Sequence, residues 1–183
     1  MNAENIKIHI VEWLNCVLEP SSCHGFVVGV SGGIDSAVTS ALAALTGKPL
    51  LLLNMPIDQE EGQYSRSNEQ IMWLSSRHAN VSSLVIDLTD SYHSMISSLS
   101  ECKISDLAAA NMASRLRMSA LYAAANTNNF MVAGTGNKVE DYGIGFFTKY
   151  GDGGVDLSPI ADLLKTEVYK LAEHLNLPES IQL

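Results

Sequence analysis

Ser31, Gly32, Gly33, Asp35 and Ser36 fall together between an apolar run and a segment with helical spacing, in the stretch VVGVSGGIDSAVTSALAAL. A strand that runs into such a turn and then a helix gathers free backbone N–H groups and a positive helix end at one point, which suits an anion. Gly32 and Gly33 admit a close backbone approach, and Ser31 and Ser36 each bring a hydroxyl. Phosphate is the natural guest. The lysine of the GxxxxGK[ST] phosphate loop has no counterpart here, so another cation is needed. Asp35 supplies the clue, because a carboxylate beside a polyphosphate is repulsive unless a divalent cation sits between them. The loop therefore implies Mg²⁺. Taken alone, Asp35 is equally a favourable charge at a helix N-terminus, worth about 0.3–1 kcal/mol.

GVSGG also satisfies GxSxG, the nucleophile elbow of serine hydrolases, with Asp162 and His174 following Ser31 in the right chain order. That elbow has no use for a second serine and an aspartate in the first turn of the next helix. The anion-binding reading is the stronger one.

A loop of this kind needs a strand behind it and a helix ahead. Four apolar runs read as buried strands: Phe26–Val30, Leu50–Asn54, Ser83–Leu88 and Phe130–Gly134. None alternates cleanly, as expected when both faces are covered. Between them lie helical patterns at Ile34–Leu45, Ser65–Ala79, Thr89–Leu99 and Asp106–Asn126, with further helices before Pro20 and near Ile160–Leu175. The alternation predicts an α/β fold, a doubly wound parallel sheet with helices on both faces, which binds ligands beyond the carboxyl ends of its strands. The residues from Phe146 to Pro159 are rich in glycine and aspartate and read as loop. Ala, Leu and Met surround the Asp106–Asn126 helix on nearly every side, so it requires cover over most of its circumference, from a core or from a second subunit.

The 183 residues suit a single domain, 1–183. A formal charge of −9, with basic residues scattered except at Arg115 and Arg117, argues against nucleic acid as a partner. Cys16, Cys23 and Cys102 make neither an even set nor a CxxC pair, which fits a reduced, cytoplasmic compartment. The opening residues mix Glu4, Lys7, His9 and Glu12 among apolar positions, an amphipathic helix and not a signal peptide. No segment has the apolar length to span a membrane. The five histidines show no HExxH spacing and read as structural or surface residues.

GVSGGIDSA resembles the pyrophosphate loop of N-type ATP pyrophosphatases, a group that includes GMP synthetase and tRNA-thiolating enzymes. GTGNKVE (Gly134–Glu140), GFFTKYGDGGVD (Gly145–Asp156), LSPIADLLKTEV (Leu157–Val168) and NMASRLRM (Asn111–Met118) narrow the likeness to NAD synthetases of the ammonia-dependent type. The resemblance implies the Rossmann-like adenine nucleotide alpha hydrolase fold. It also implies ATP-dependent amidation of deamido-NAD by ammonia to NAD, through an adenylated intermediate, with release of AMP and pyrophosphate. By motif position, Gly29, Val30, Ser31, Gly32, Gly33, Ile34, Asp35, Ser36, Thr135 and Lys165 would hold ATP. Asp35 and Glu140 would ligate Mg²⁺ and, with Lys165, form the catalytic set; Arg115, Lys149 and Asp156 would bind deamido-NAD. A homodimer whose interface helps form the dinucleotide site is also implied. The chain ends at LNLPESIQL, before the C-terminal segment such enzymes usually carry, and it has no nitrilase-like glutaminase domain. Free ammonia is the expected nitrogen donor, and a separate glutaminase partner stays open. The alternatives are another N-type ATP pyrophosphatase, GMP synthetase-like or tRNA-thiolating, and a non-catalytic nucleotide-binding module.

Overall fold

The computed structural model describes residues 2–182, so Met1 and Leu183 of the expected 1–183 domain lie outside it. Strands β1 (Gly25–Val30), β2 (Leu50–Asn54), β3 (Val81–Val85) and β4 (Phe130–Val132) form a parallel sheet in the order β3-β2-β1-β4. A parallel bridge between Ala133 and Leu157 marks a further position beyond β4. The chain winds outward from β1 to β3 and then returns to the other side of β1. The carboxyl ends of β1 and β4 thus diverge at a topological switch point, where such sheets bind ligands. Ser31 follows β1 there, and Thr135 follows β4.

Seven helices are described: α1 (Ala3–Leu18), α2 (Ile34–Leu45), α3 (Glu61–Ser75), α4 (Thr89–Ser98), α5 (Asp106–Asn128), α6 (Lys165–His174) and α7 (Glu179–Gln182). A π-helical segment, Lys138–Ile144, stands between β4 and α6. Side chains alternate across the pleat, so Phe26, Val28, Leu50 and Leu52 pack on one face against Leu14, Leu42 and Leu171. Nearly all of α2 is buried, because Ala37, Ala41 and Ala44 let neighbouring helices approach closely. Val27, Leu51 and Leu53 point to the opposite face, where α5 lays Leu121, Tyr122 and Ala125 over them.

The third strand and the helix expected at Ile160–Leu175 depart from expectation. The third strand is not covered on both faces: it begins at Val81, two residues early, where pairing with Leu50 sets its register, and Leu84 and Val85 stand exposed at the sheet edge. The chain itself leaves α5 largely open, with only Met112 and Ala125 buried and Leu107 73% exposed, so of the two sources of cover its composition allows, the core supplies little. The helix expected at Ile160–Leu175 begins at Lys165, because residues 158–163 make successive turns and Leu164 is extended, its N–H donating to Glu167 Oε2 at 2.9 Å. Among the described residues no helix is long and apolar enough to cross a membrane.

Candidate active site

Gly32 takes φ +78°, and a Cβ there would lie 2.8 Å from the Gln63 carbonyl, so this turn of the loop admits only glycine comfortably. The buried Ser36 hydroxyl donates to Gly33 O at 2.8 Å and accepts from Ser31 N at 3.3 Å. It braces the loop from within. Behind it, Ser40 donates to Ser36 O and Gln70 donates to Ser40, tying α2 to α3. Helix α2 has no side-chain cap, which leaves its first N–H groups facing the loop as an anion would require.

Gly29, Val30, Ser31 and Thr135 border a cleft of about 320 Å³ beyond the strand ends. Its far wall is α5, through Ser114, Arg117, Met118 and Leu121, at the spacing of one helical face. Arg117 was not among the expected site residues. Its Nε donates to Met55 O at 2.9 Å, and burial lowers the pKa of its guanidinium. A cation enclosed in this cleft suits an anionic or purine ligand. The spacing 114-117-121 carried the signal.

Next to the cleft, through Thr135 and Gly136, stands a charged cluster. The Lys165 ammonium bridges Asp35 Oδ2 and Glu140 Oε1, the latter at 3.0 Å. Burial pulls its pKa down, but the hydrogen bonds to Asp35 and then Glu140 outweigh burial and leave it raised. Three residues from distant parts of the sequence thus converge. Asn137, which sequence reasoning passed over, donates from Nδ2 to Asp35 Oδ1 at 3.0 Å. Asp141 lies beside the cluster with its pKa raised, first by burial and then by the charges of Asp152, Glu140 and Asp35.

Two carboxylates sharing one ammonium already converge on a single cation position. Among the described residues no group of three or more His, Cys, Asp or Glu side chains could hold a metal by itself. Mg²⁺ at Asp35 and Glu140 therefore fits only with phosphate oxygens and water completing its shell.

The residues expected to bind the dinucleotide are more dispersed. Arg115 Nε donates to Lys149 O at 3.2 Å, so these two are neighbours, and Ser114 holds Asp152 in the same loop at 2.7 Å. Asp156 lies elsewhere. Its Oδ1 accepts from Tyr122, about two turns along α5 from Arg115, and its Oδ2 from Val132 N, both at 2.9 Å. Burial, then the bond to Asp156, pushes the Tyr122 hydroxyl up to about 12. The hydrolase arrangement is not formed: His174 pairs with Glu4 at 2.8 Å, while Ser31 accepts from Gly33 N.

The NAD synthase family pattern matches residues 6–183. The chain belongs to that family. It is 39% identical to an NH(3)-dependent NAD(+) synthetase of Carboxydothermus hydrogenoformans, covering 99% of this chain and 74% of the relative. It is 41% identical to the protein of the same name in Mycoplasma genitalium, over 92% of this chain and 67% of that one. Among solved structures, the NH3-dependent NAD synthetase of Campylobacter jejuni superposes with a TM-score of 0.91 at 29% identity, covering all of this chain and 77% of the other. An NMN synthetase of Francisella tularensis superposes with a TM-score of 0.92 at 34% identity, covering all of this chain and 74% of that one. The parallel sheet is thus the Rossmann-like adenine nucleotide alpha hydrolase fold of the family.

Proposed function

We propose that this chain catalyses ATP-dependent amidation of deamido-NAD by ammonia. The observation that carries the reading is the convergence of Asp35, Glu140 and Lys165 beside a nucleotide-sized cleft at the switch point of a NAD synthase fold. A free carboxylate is a poor acceptor for ammonia. The nicotinate carboxylate attacks the α-phosphorus of ATP, the bond to the β-phosphate breaks, and pyrophosphate leaves. Ammonia then forms the C–N bond at the acyl carbon, loses a proton, and AMP departs with the carboxylate oxygen that joined it.

The chain's own groups serve the first step. The Ser31–Gly33 loop and the uncapped N-terminus of α2 hold phosphate oxygens, and Arg117 and Thr135 border the nucleotide. Lys165 turns from Asp35 and Glu140 to the phosphates when ATP enters, which frees both carboxylates for Mg²⁺. That ion would neutralise the charge moving onto pyrophosphate. Arg115 and Lys149 face the acid substrate, and Arg115 can grip a phosphate bidentately.

The uncovered side of the molecule supports a homodimer. Leu84 and Val85 of β3, Met95 of α4 and Leu107 of α5 are exposed apolar residues on elements that one chain leaves open. A two-fold partner is the commonest cover. The free thiols of Cys16, Cys23 and Cys102 support a reducing, cytoplasmic setting.

Incubation with ATP, Mg²⁺, ammonium and deamido-NAD is expected to give NAD, AMP and pyrophosphate in equal amounts. The Francisella neighbour favours a second reading, in which the product is NMN. Offering the mononucleotide acid and the dinucleotide acid in competition decides between them. Turnover of the mononucleotide alone overturns the first reading.

A further inference from the structure

Asn137 is fully enclosed and uses both ends of its amide. Its Oδ1 accepts from Val139 N at 3.0 Å and Glu140 N at 3.1 Å, capping the π-helical segment that carries Glu140. Its Nδ2 donates to Asp35 Oδ1 at 3.0 Å, in the first turn of α2. The next residue is anchored too, since Lys138 N donates to Leu163 O at 2.9 Å, two residues before Lys165. One neutral side chain therefore joins the Asp35 carboxylate to the backbone that carries Glu140, while Lys165 bridges the two carboxylates themselves.

The chemistry of the amide matters here. An aspartate at 137 could cap the segment but could not donate to Asp35, and a serine could cap it but lacks the amide donor. A carboxylate turns easily about its last torsion. With Oδ1 tied to Asn137, the other oxygen of Asp35 is directed to the position now held by the Lys165 ammonium, which Glu140 also faces.

We infer that Asn137 is a positioning residue, which fixes Asp35 and Glu140 at the spacing a divalent cation needs before the cation arrives. This rests on the reading of those carboxylates as the Mg²⁺ ligands. A group bonded behind a metal ligand commonly controls about ten- to a hundredfold in metal affinity.

The test uses the full chain with Asn137→Ser, and Asn137→Thr as a second cap-retaining variant should the first fold poorly. Binding of Mn²⁺, followed by loss of the free-ion resonance signal in the presence of a non-hydrolysable ATP analogue, is expected to weaken by about tenfold or more. The Mg²⁺ concentration for half-maximal turnover rises in parallel, while kcat at saturating Mg²⁺ stays within about twofold and affinity for metal-free ATP is unchanged. Wild-type Mn²⁺ affinity in both variants overturns the inference, as does a large fall in kcat that excess Mg²⁺ does not restore. Asp35→Asn and Glu140→Gln are measured alongside. If these lose Mn²⁺ binding while the Asn137 variants keep it, the positioning role alone fails; if they keep it, the metal reading fails and the positioning role with it.

Discussion

The two halves of the site differ in how completely one chain builds them. The half proposed for ATP sits where β1, α2, the π-helical segment and the start of α6 meet, and its charged groups touch one another within the chain. Behind it lies the thick core of the sheet, with Phe26, Leu42 and Leu171 fully buried. The half proposed for the dinucleotide lies toward the thin face, where α4 buries nothing and α5 buries two residues. Arg115 and Lys149 are exposed there, and Asp156 spends both oxygens on its own chain. The groups proposed to hold the leaving polyphosphate are already joined by hydrogen bonds and ion pairs. The part proposed to hold the acid substrate lies on elements that the chain itself leaves largely exposed.

The largest effects are expected where the first half is disarmed. Asp35→Asn and Glu140→Gln should each lower pyrophosphate release by about a hundredfold or more, since each removes a negative ligand from the shared cation position. Wild-type turnover of Glu140→Gln at limiting Mg²⁺ would remove that residue from the site.

Arg115→Ala and Arg117→Ala sharpen the comparison, because they lie two residues apart on α5 and face different halves. Arg117→Ala should weaken ATP binding by about tenfold with little change in KM for deamido-NAD. Arg115→Ala should do the reverse, each loss being that of a charge-assisted contact of roughly 1.5–3 kcal/mol. Titration calorimetry for ATP and steady-state kinetics for the acid measure the two. Equal effects of both variants on both ligands would erase the distinction.

Leu107→Glu probes the cover of the second half. Leu107 is exposed in the single chain, so the variant should fold normally while the sedimentation profile shifts toward monomer. The KM for deamido-NAD should rise with it, and ATP affinity should stay. A fully active variant that remains dimeric would place the partner elsewhere.

The smallest effect concerns Asp156. Tyr122→Phe removes one of its two hydrogen bonds and should cost about 1 kcal/mol of stability, measured by denaturant unfolding. The folded-state pKa of Tyr122 is raised to about 12, so its stabilisation is complete below the unfolded value near 10 and is lost as pH rises toward 12. The variant should therefore lose part of the alkaline decline in stability seen in the parent.

The sequence made the first half legible because its signals are local. An apolar strand, SGGIDS and a helix are contiguous, and α2 runs over Ile34–Leu45 as its spacing predicts. Glu140 and Lys165 came from motif likeness, and the fold brings them to Asp35. Asn137 escaped notice because its role needs a capped π-helical turn and a partner 102 positions away. Helix α3 starts at Glu61 and not Ser65, since EGQY carries no apolar stripe to read. The apolar run at the third strand signalled burial, but an edge strand that awaits another surface carries the same composition. What was hidden at Asn137 and at the third strand is non-local, a distant partner and an edge position in the sheet, whereas the first turn of α3 lacks any local apolar signal.

On the proposed reading, the acid substrate is activated by direct attack on the α-phosphorus of ATP. This attack is tested most directly with deamido-NAD carrying heavy oxygen in its nicotinate carboxylate, with the products read by mass spectrometry. Each NAD formed should be matched by one AMP bearing a single heavy oxygen on its phosphate, and pyrophosphate should carry none. Unlabelled AMP, or label in pyrophosphate, would contradict it.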